Sequence, residues 1–180
     1  MAKIVIDPGH GGDPKQGGDP GAVNGDLYEK AAALKVAKLV GGALAAKGHT
    51  VLYTRSSDVF VELKDRAAFS NSNDADYFIS IHCNSAENTQ ASGVETWHYE
   101  NSTKGRALAQ CVQDELAKLG AKNRGIKAGS FYVLKYTEAP AILVELGFIS
   151  NPEEKTLLFK EYYQKQLCDA IVSGVTNYLK

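Results

Sequence analysis

Apolar residues recur along this chain in two rhythms. Short, nearly unbroken apolar runs occur at "KIVID" (Lys3–Asp7), "HTVLYT" (His49–Thr54), "DYFISIHCN" (Asp76–Asn84), "GVETWHYE" (Gly93–Glu100), "FYVLKY" (131–136) and "AILVEL" (141–146). Runs of this length, rich in β-branched and aromatic residues, predict strands. Between them the spacing changes. Ala33, Val36, Ala37, Val40 and Leu44 fall at three- and four-residue steps and predict a helix that Gly48 ends. Glu62–Ser70 predicts a shorter helix. Leu108, Val112, Leu116 and Leu119 predict another, and Leu167, Ile171, Val175 and Tyr178 a closing one.

Strands that alternate with amphipathic helices build crossover units, and continuous apolar strands belong to a sheet buried on both faces. The expected fold is therefore α/β, a single domain over residues 1–180. Its core is a mostly parallel, twisted sheet of about six strands with helices on both faces. No internal repeat, low-complexity tract or proline- and serine-rich linker interrupts it.

Composition narrows the function. With 44% hydrophobic residues, 180 residues suffice for one sizeable core. Twenty basic residues nearly balance 21 acidic ones, for a net charge of −1, which argues against binding nucleic acid through its phosphates. No run is long and apolar enough to insert in a membrane. Asp7 interrupts the first apolar stretch too early for a secretory signal, so a soluble product, or one whose export signal has been removed, is expected. The three cysteines, Cys83, Cys111 and Cys168, are odd in number and lack metal or redox spacing, as buried reduced thiols would.

The chemistry gathers where strands end. In an open parallel sheet, ligands collect beyond the carboxyl ends of the strands. His10 follows the first strand in "DPGHGG", His82 closes "FISIH", and Glu145 closes "AILVE", while Glu29 opens the first helix. Two imidazoles and a carboxylate are a hydrolytic zinc set, with a position left for water. A further carboxylate, such as Glu145, can act as general base and then acid. Each residue also has a plainer reading. "DPGHGG" could be a phosphate-binding turn, although it lacks both the G-x-G-x-x-G spacing and a Walker lysine. Glu29 could complete a capping box with Asp26. His82 could be a satisfied strand-end histidine, and Glu145 a charge marking a strand's exit. Cys83 points away from His82 because strand neighbours alternate faces. His98 reads as a surface or groove histidine, and His49 carries no signal.

The set as a whole resembles the zinc-dependent N-acetylmuramoyl-L-alanine amidases of bacterial cell-wall metabolism and phage lysis. The likeness rests on the "DPGHGG" loop (Asp7–Gly12), Glu29, "SIHCN" (Ser80–Asn84) and "ILVELGFISN" (Ile142–Asn151), with "TR" at Thr54–Arg55 and "LKDR" at Leu63–Arg66 in matching order. The resemblance implies Zn2+ held by His10, Glu29 and His82, with Glu145 as the catalytic carboxylate. It implies a peptidoglycan substrate, cut at the amide between the lactyl group of N-acetylmuramic acid and the L-alanine of the stem peptide. A zinc-activated water attacks, and Glu145 relays its proton to the departing nitrogen. Asn84 is a candidate substrate contact or a cap on the strand's exit, and Asp7 a candidate orienter of a ligand or a turn residue.

Division-associated members carry an inserted blocking helix after the second histidine motif. Here only Ser85–Ser92 separates Asn84 from Gly93, which implies a monomeric enzyme active without an obligatory activator. It would act on the bacterial cell wall, reached by lysis or after loss of an export signal. The rival readings are a wall-binding module that has lost turnover, a zinc peptidase acting on another amide of peptidoglycan, and a metal-free phosphate binder.

Overall fold

The computed structural model describes residues 1–180. The order is β1 (Lys3–Pro8), a hairpin of β2 (Val23–Asn24) and β3 (Leu27–Tyr28), α1 (Glu29–Ala46), β4 (Thr50–Tyr53), α2 (Leu63–Ser72), β5 (Tyr77–Asn84) and β6 (Val94–Tyr99). It continues with α3 (Thr103–Leu116), β7 (Asn123–Gly129), α4 (Tyr132–Tyr136), β8 (Ala141–Phe148), α5 (Pro152–Leu158) and α6 (Glu161–Tyr178).

Six strands form one sheet in the order β4-β1-β5-β8-β6-β7. Every neighbouring pair is parallel except β6 with β8. The α/β reading therefore holds, with a single domain and helices on both faces. Alternate residues of the central strands split between two cores. Ile4, Ile6, Ile79, Ile81, Ile142 and Val144 pack against α1, α3 and α6 on the back face. Val5, Phe78 and Leu143 pack against Val133 and Leu134 of α4 on the front face, with Phe69 of α2 at the margin. The front layer is thinner, and this is what leaves the carboxyl-end rim of β5 and β8 open.

Two expectations need correction. "FYVLKY" is not a strand: Tyr132–Tyr136 is the short helix α4, whose adjacent residues Val133 and Leu134 both pack into the front core. The sixth strand is instead β7, "NRGIKAG", which lies at the sheet edge and owes its extended form to pairing with β6. α1 does end as expected, with Gly48 in the left-handed region at φ 88°.

Candidate metal centre and catalytic carboxylate

Three elements bring the predicted residues together. β1 runs into the loop carrying His10, α1 begins with Glu29, and β5 carries His82 near its carboxyl end. His10, Glu29 and His82 each offer a donor atom within 4.8 Å of the others, and so form a site able to hold a metal ion. Glu29 Oε1 lies 3.0 Å from His10 Nε2 and 3.0 Å from His82 Nδ1. The rings meet edge to face, with centroids 4.9 Å apart.

Glu29 is not a helix cap. Tyr28 occupies the N-cap and Glu29 is the first helical residue, so the capping-box alternative with Asp26 is ruled out. Its carboxylate is fixed from behind instead, Oε1 accepting the Cys83 N–H at 3.0 Å and Oε2 the Ala22 N–H at 2.8 Å. Burial opposes its charge, but the hydrogen bonds and charges of the two imidazoles together outweigh burial and hold it well below the ordinary carboxylate range. Burial likewise disfavours a charged His10, yet Glu29 and Asp19 prevail and raise its pKa. A nearly buried anion facing two nitrogen donors is a local potential suited to a dication.

Steric room was made for this cluster. A Cβ on Gly9 would lie 2.3 Å from the His82 ring, and one on Gly21 would lie 2.6 Å from both Glu29 Oε2 and His10 Cδ2. His10 itself sits at φ 60°, an uncommon conformation for a residue with a side chain. Two buried arginines impose it. Arg55 donates to the carbonyls of Pro8 and Gly9 at 2.9 and 2.7 Å. Arg66 donates to Pro8 at 2.6 Å, to His10 at 2.8 Å, and to Asp7 Oδ1 at 2.8 Å. Asp7 also accepts from Thr54 Oγ1 and Ser80 Oγ. These bonds give the "TR" and "LKDR" motifs their role: their guanidiniums staple the carbonyls of the histidine loop. Asp7 anchors this staple and makes no bond to His10, Glu29 or His82.

The residue that orients His10 was missed. Asp19 Oδ2 lies 2.6 Å from His10 Nδ1, fixing the tautomer so that Nε2 faces the cluster. Its signal was the second Asp-Pro of the glycine-rich loop, Asp19 before the Pro20–Gly21 turn, after Asp13–Pro14. Asp19 Oδ1 caps that turn through the Gly21 N–H.

Glu145 stands level with His82 on the neighbouring strand, one side of the sheet carrying both. Its Oε2 is buried without a hydrogen-bond partner. Burial, followed by the nearby charges of Glu29 and Glu95, pushes its pKa well above the ordinary value. Glu145 and His82 line a cavity of about 580 Å3 with His10, Glu29 and Asn84, walled by Phe60, Leu63, Phe131 and Tyr132. Asn84 is committed on both sides of its amide: Nδ2 donates to Glu95 Oε1 at 3.0 Å, and Oδ1 accepts the Ser85 N–H.

The declined candidates are elsewhere. Cys83 faces the back core, and burial pushes its thiol well above the usual range. His98 is buried rather than at the surface, on the opposite face of β6 from Glu95 and Trp97.

Comparison with known proteins places the chain in one family. The family model described as N-acetylmuramoyl-L-alanine amidase matches residues 4–177. The chain is 40% identical over 179 residues to YqiI of Bacillus subtilis, covering 97% of this chain and 84% of that one. It is 37% identical over 181 residues to the N-acetylmuramoyl-L-alanine amidase LytC of B. subtilis, covering 98% of this chain but only 35% of LytC. Among solved structures, an N-acetylmuramoyl-L-alanine amidase from Clostridium difficile 630 superposes with a TM-score of 0.93 at 38% identity, covering 99% and 97% of the two chains. The CwlD amidase of Clostridioides difficile, solved in complex with the GerS lipoprotein, gives 0.93 at 30% identity, covering 99% and 98%.

Proposed function

The chain belongs to the N-acetylmuramoyl-L-alanine amidase family, and from that premise we propose that it is a zinc-dependent hydrolase, with His10, Glu29 and His82 as ligands and Glu145 as proton relay. Its substrate is peptidoglycan, and the bond cut joins the lactyl group of N-acetylmuramic acid to the L-alanine of the stem peptide. The observation that carries the reading is the pairing of a two-imidazole, one-carboxylate cluster with a partnerless buried carboxyl on the adjoining strand.

Zinc in such a site supplies a Lewis acid that lowers the pKa of a bound water to about 7 and stabilises the developing oxyanion. The chain's own residues do the rest. Asp19 holds the His10 tautomer, and the backbone N–H groups of Ala22 and Cys83 hold the Glu29 carboxylate. Glu145, free of competing hydrogen bonds at Oε2, takes the proton of the attacking water. The environment that favours its protonated form also suits it to return that proton to the alanine nitrogen as the amide breaks. The open cavity lets a bulky polymer reach these groups.

Ser85–Ser92 forms no helix between β5 and β6. The proposal therefore includes turnover by the isolated, monomeric chain without an activator. Incubating that chain with purified peptidoglycan should release stem peptides that begin with a free L-alanine amine, leaving intact glycan strands by mass spectrometry. A chelator should stop release and added zinc restore it. Cleavage at another amide would favour a zinc peptidase, and binding without cleavage a wall-binding module. Turnover that needs an added protein would overturn the activator-free part.

A further inference from the structure

The front face of the sheet continues beyond Glu145 to the edge strand, and it is charged there. Glu145 on β8 pairs with Glu95 on β6; two residues along β6, Trp97 faces the same side and pairs with Lys127 on β7. Glu95 is 3% exposed. Its Oε1 accepts from Asn84 Nδ2 and Trp97 Nε1, each at 3.0 Å, and its Oε2 accepts from Arg124 Nε at 2.6 Å. Lys127 Nζ lies 3.7 Å from the same Oε2.

Three donors already satisfy one buried carboxylate, and Arg124 alone balances its charge. Lys127 is surplus to that structural need. The arrangement thus leaves a net positive charge at the end of the groove, in a chain whose overall charge is −1. Both cations are reachable, with side chains 27% and 35% exposed. Arg124 lies 4.9 Å over the Phe148 ring, which fixes the guanidinium plane, and its Nη2 has no protein partner. Lys127 lies 5.7 Å over Trp97, and Trp97 meets Phe131 of the cavity wall edge to face at 5.1 Å. Strand pairing links the two places: Glu145, which lines the cavity, pairs with Glu95 on β6, and Trp97, two residues along, pairs with Lys127.

We propose that Arg124 and Lys127, braced by the buried Glu95, form a carboxylate-binding subsite that receives an acidic group of the stem peptide during peptidoglycan cleavage. The proposal rests on the amidase reading for the identity of its ligand. A planar guanidinium with Nη2 unpartnered and an adjacent ammonium suit a carboxylate better than an amide, because the bonds are charge-assisted at both ends. Glu95 is a positioning residue here: its side chain aims the two cations and, through Asn84, ties their placement to the strand that carries His82.

The test uses the zinc-loaded full chain and two synthetic substrates, muramyl-L-alanyl-D-glutamate with its α-carboxyl free and the same compound amidated there. The wild-type protein should prefer the free acid by about tenfold in kcat/KM, carried by KM, with the preference fading in high salt. K127Q and R124Q should each lower that preference, and the double variant should bring it close to one. R124K keeps the charge opposite Glu95 if R124Q fails to fold, and should lower the preference partway. Equal use of both substrates by the wild type, or equal weakening of both by the variants, would overturn the subsite. Failure of the wild type to cleave either compound would instead overturn the amidase reading. In that event, calorimetry of L-alanyl-D-glutamate and its α-amide decides the subsite alone: tighter binding of the acid supports it, and equal binding refutes it.

Discussion

Glu145→Gln is expected to lower peptidoglycan hydrolysis by about 10²–10⁴-fold while the protein keeps its zinc, since removing a general acid–base costs about that much. Glutamine matches the shape of the side chain but cannot take a proton from water. The same substitution should not cost stability, because Oε2 has no hydrogen bond to lose. The sign of the pH effect is set by the folded state. Burial and the charges of Glu29 and Glu95 raise the Glu145 pKa above its unfolded value, so the folded protein binds this proton more tightly. Its contribution is fully present below the ordinary carboxylate pKa and is lost as pH rises through the raised one. The metal-free variant should therefore melt no lower than the metal-free wild type at neutral pH, with an advantage that grows as pH rises. Thermal melts of the chelated proteins, alongside activity and zinc content of the loaded ones, check all three parts. Retained hydrolysis would move the proton relay to another residue.

Arg66→Met should produce the largest loss of stability of any single change near the site, about 3–5 kcal/mol, because it strands one member of a buried ion pair. Arg66 and Asp7 are 2% and 1% exposed. Arg66 also bonds the carbonyls of Pro8, His10 and Val61. Losing it leaves Asp7 charged without its cation and frees the loop that holds His10 at positive φ. Arg55 cannot replace it, being occupied with Gly9, Ser57 and Lys30; burial and the neighbouring Arg66 charge already press its own pKa down to about 10. Zinc affinity should fall together with stability. Arg66→Lys should recover little, since one ammonium cannot span Asp7 and three carbonyls. Urea denaturation of wild type and variants checks the magnitude, and a loss below about 1 kcal/mol would mean the loop is held by other means.

The residues proposed to do chemistry were legible because each falls near the end of a strongly patterned element. β1, β5 and β8 are apolar runs that need no tertiary context to be read; His10 lies just past β1, while His82 and Glu145 lie in the carboxyl-terminal halves of β5 and β8. Glu29 was ambiguous, since "DLYE" fits a helix cap equally well until the hairpin of β2 and β3 moves the helix start to Glu29 itself. What escaped was whatever depends on non-local pairing. β7 carries Arg124, Lys127 and glycines where a strand pattern would place apolar residues, and it is extended because β6 supplies its hydrogen bonds. "FYVLKY" has the composition of a strand but folds as a helical turn, where Val133 and Leu134 can both reach the front core. Asp19 and Glu95 share this obscurity. Neither has a partner near it in sequence other than its own turn or Trp97, so only the folded loop and sheet show what each carboxylate holds.

The most direct measurement of the central claim is zinc bound per chain, by mass spectrometry of metal content after dialysis against limiting zinc, in wild type, His82→Ala and Glu145→Gln. One zinc per chain in the wild type and in Glu145→Gln, with none retained by His82→Ala, is the expected result. Full zinc retention by His82→Ala, or its loss from Glu145→Gln, would contradict a centre built from His10, Glu29 and His82 with Glu145 standing outside it.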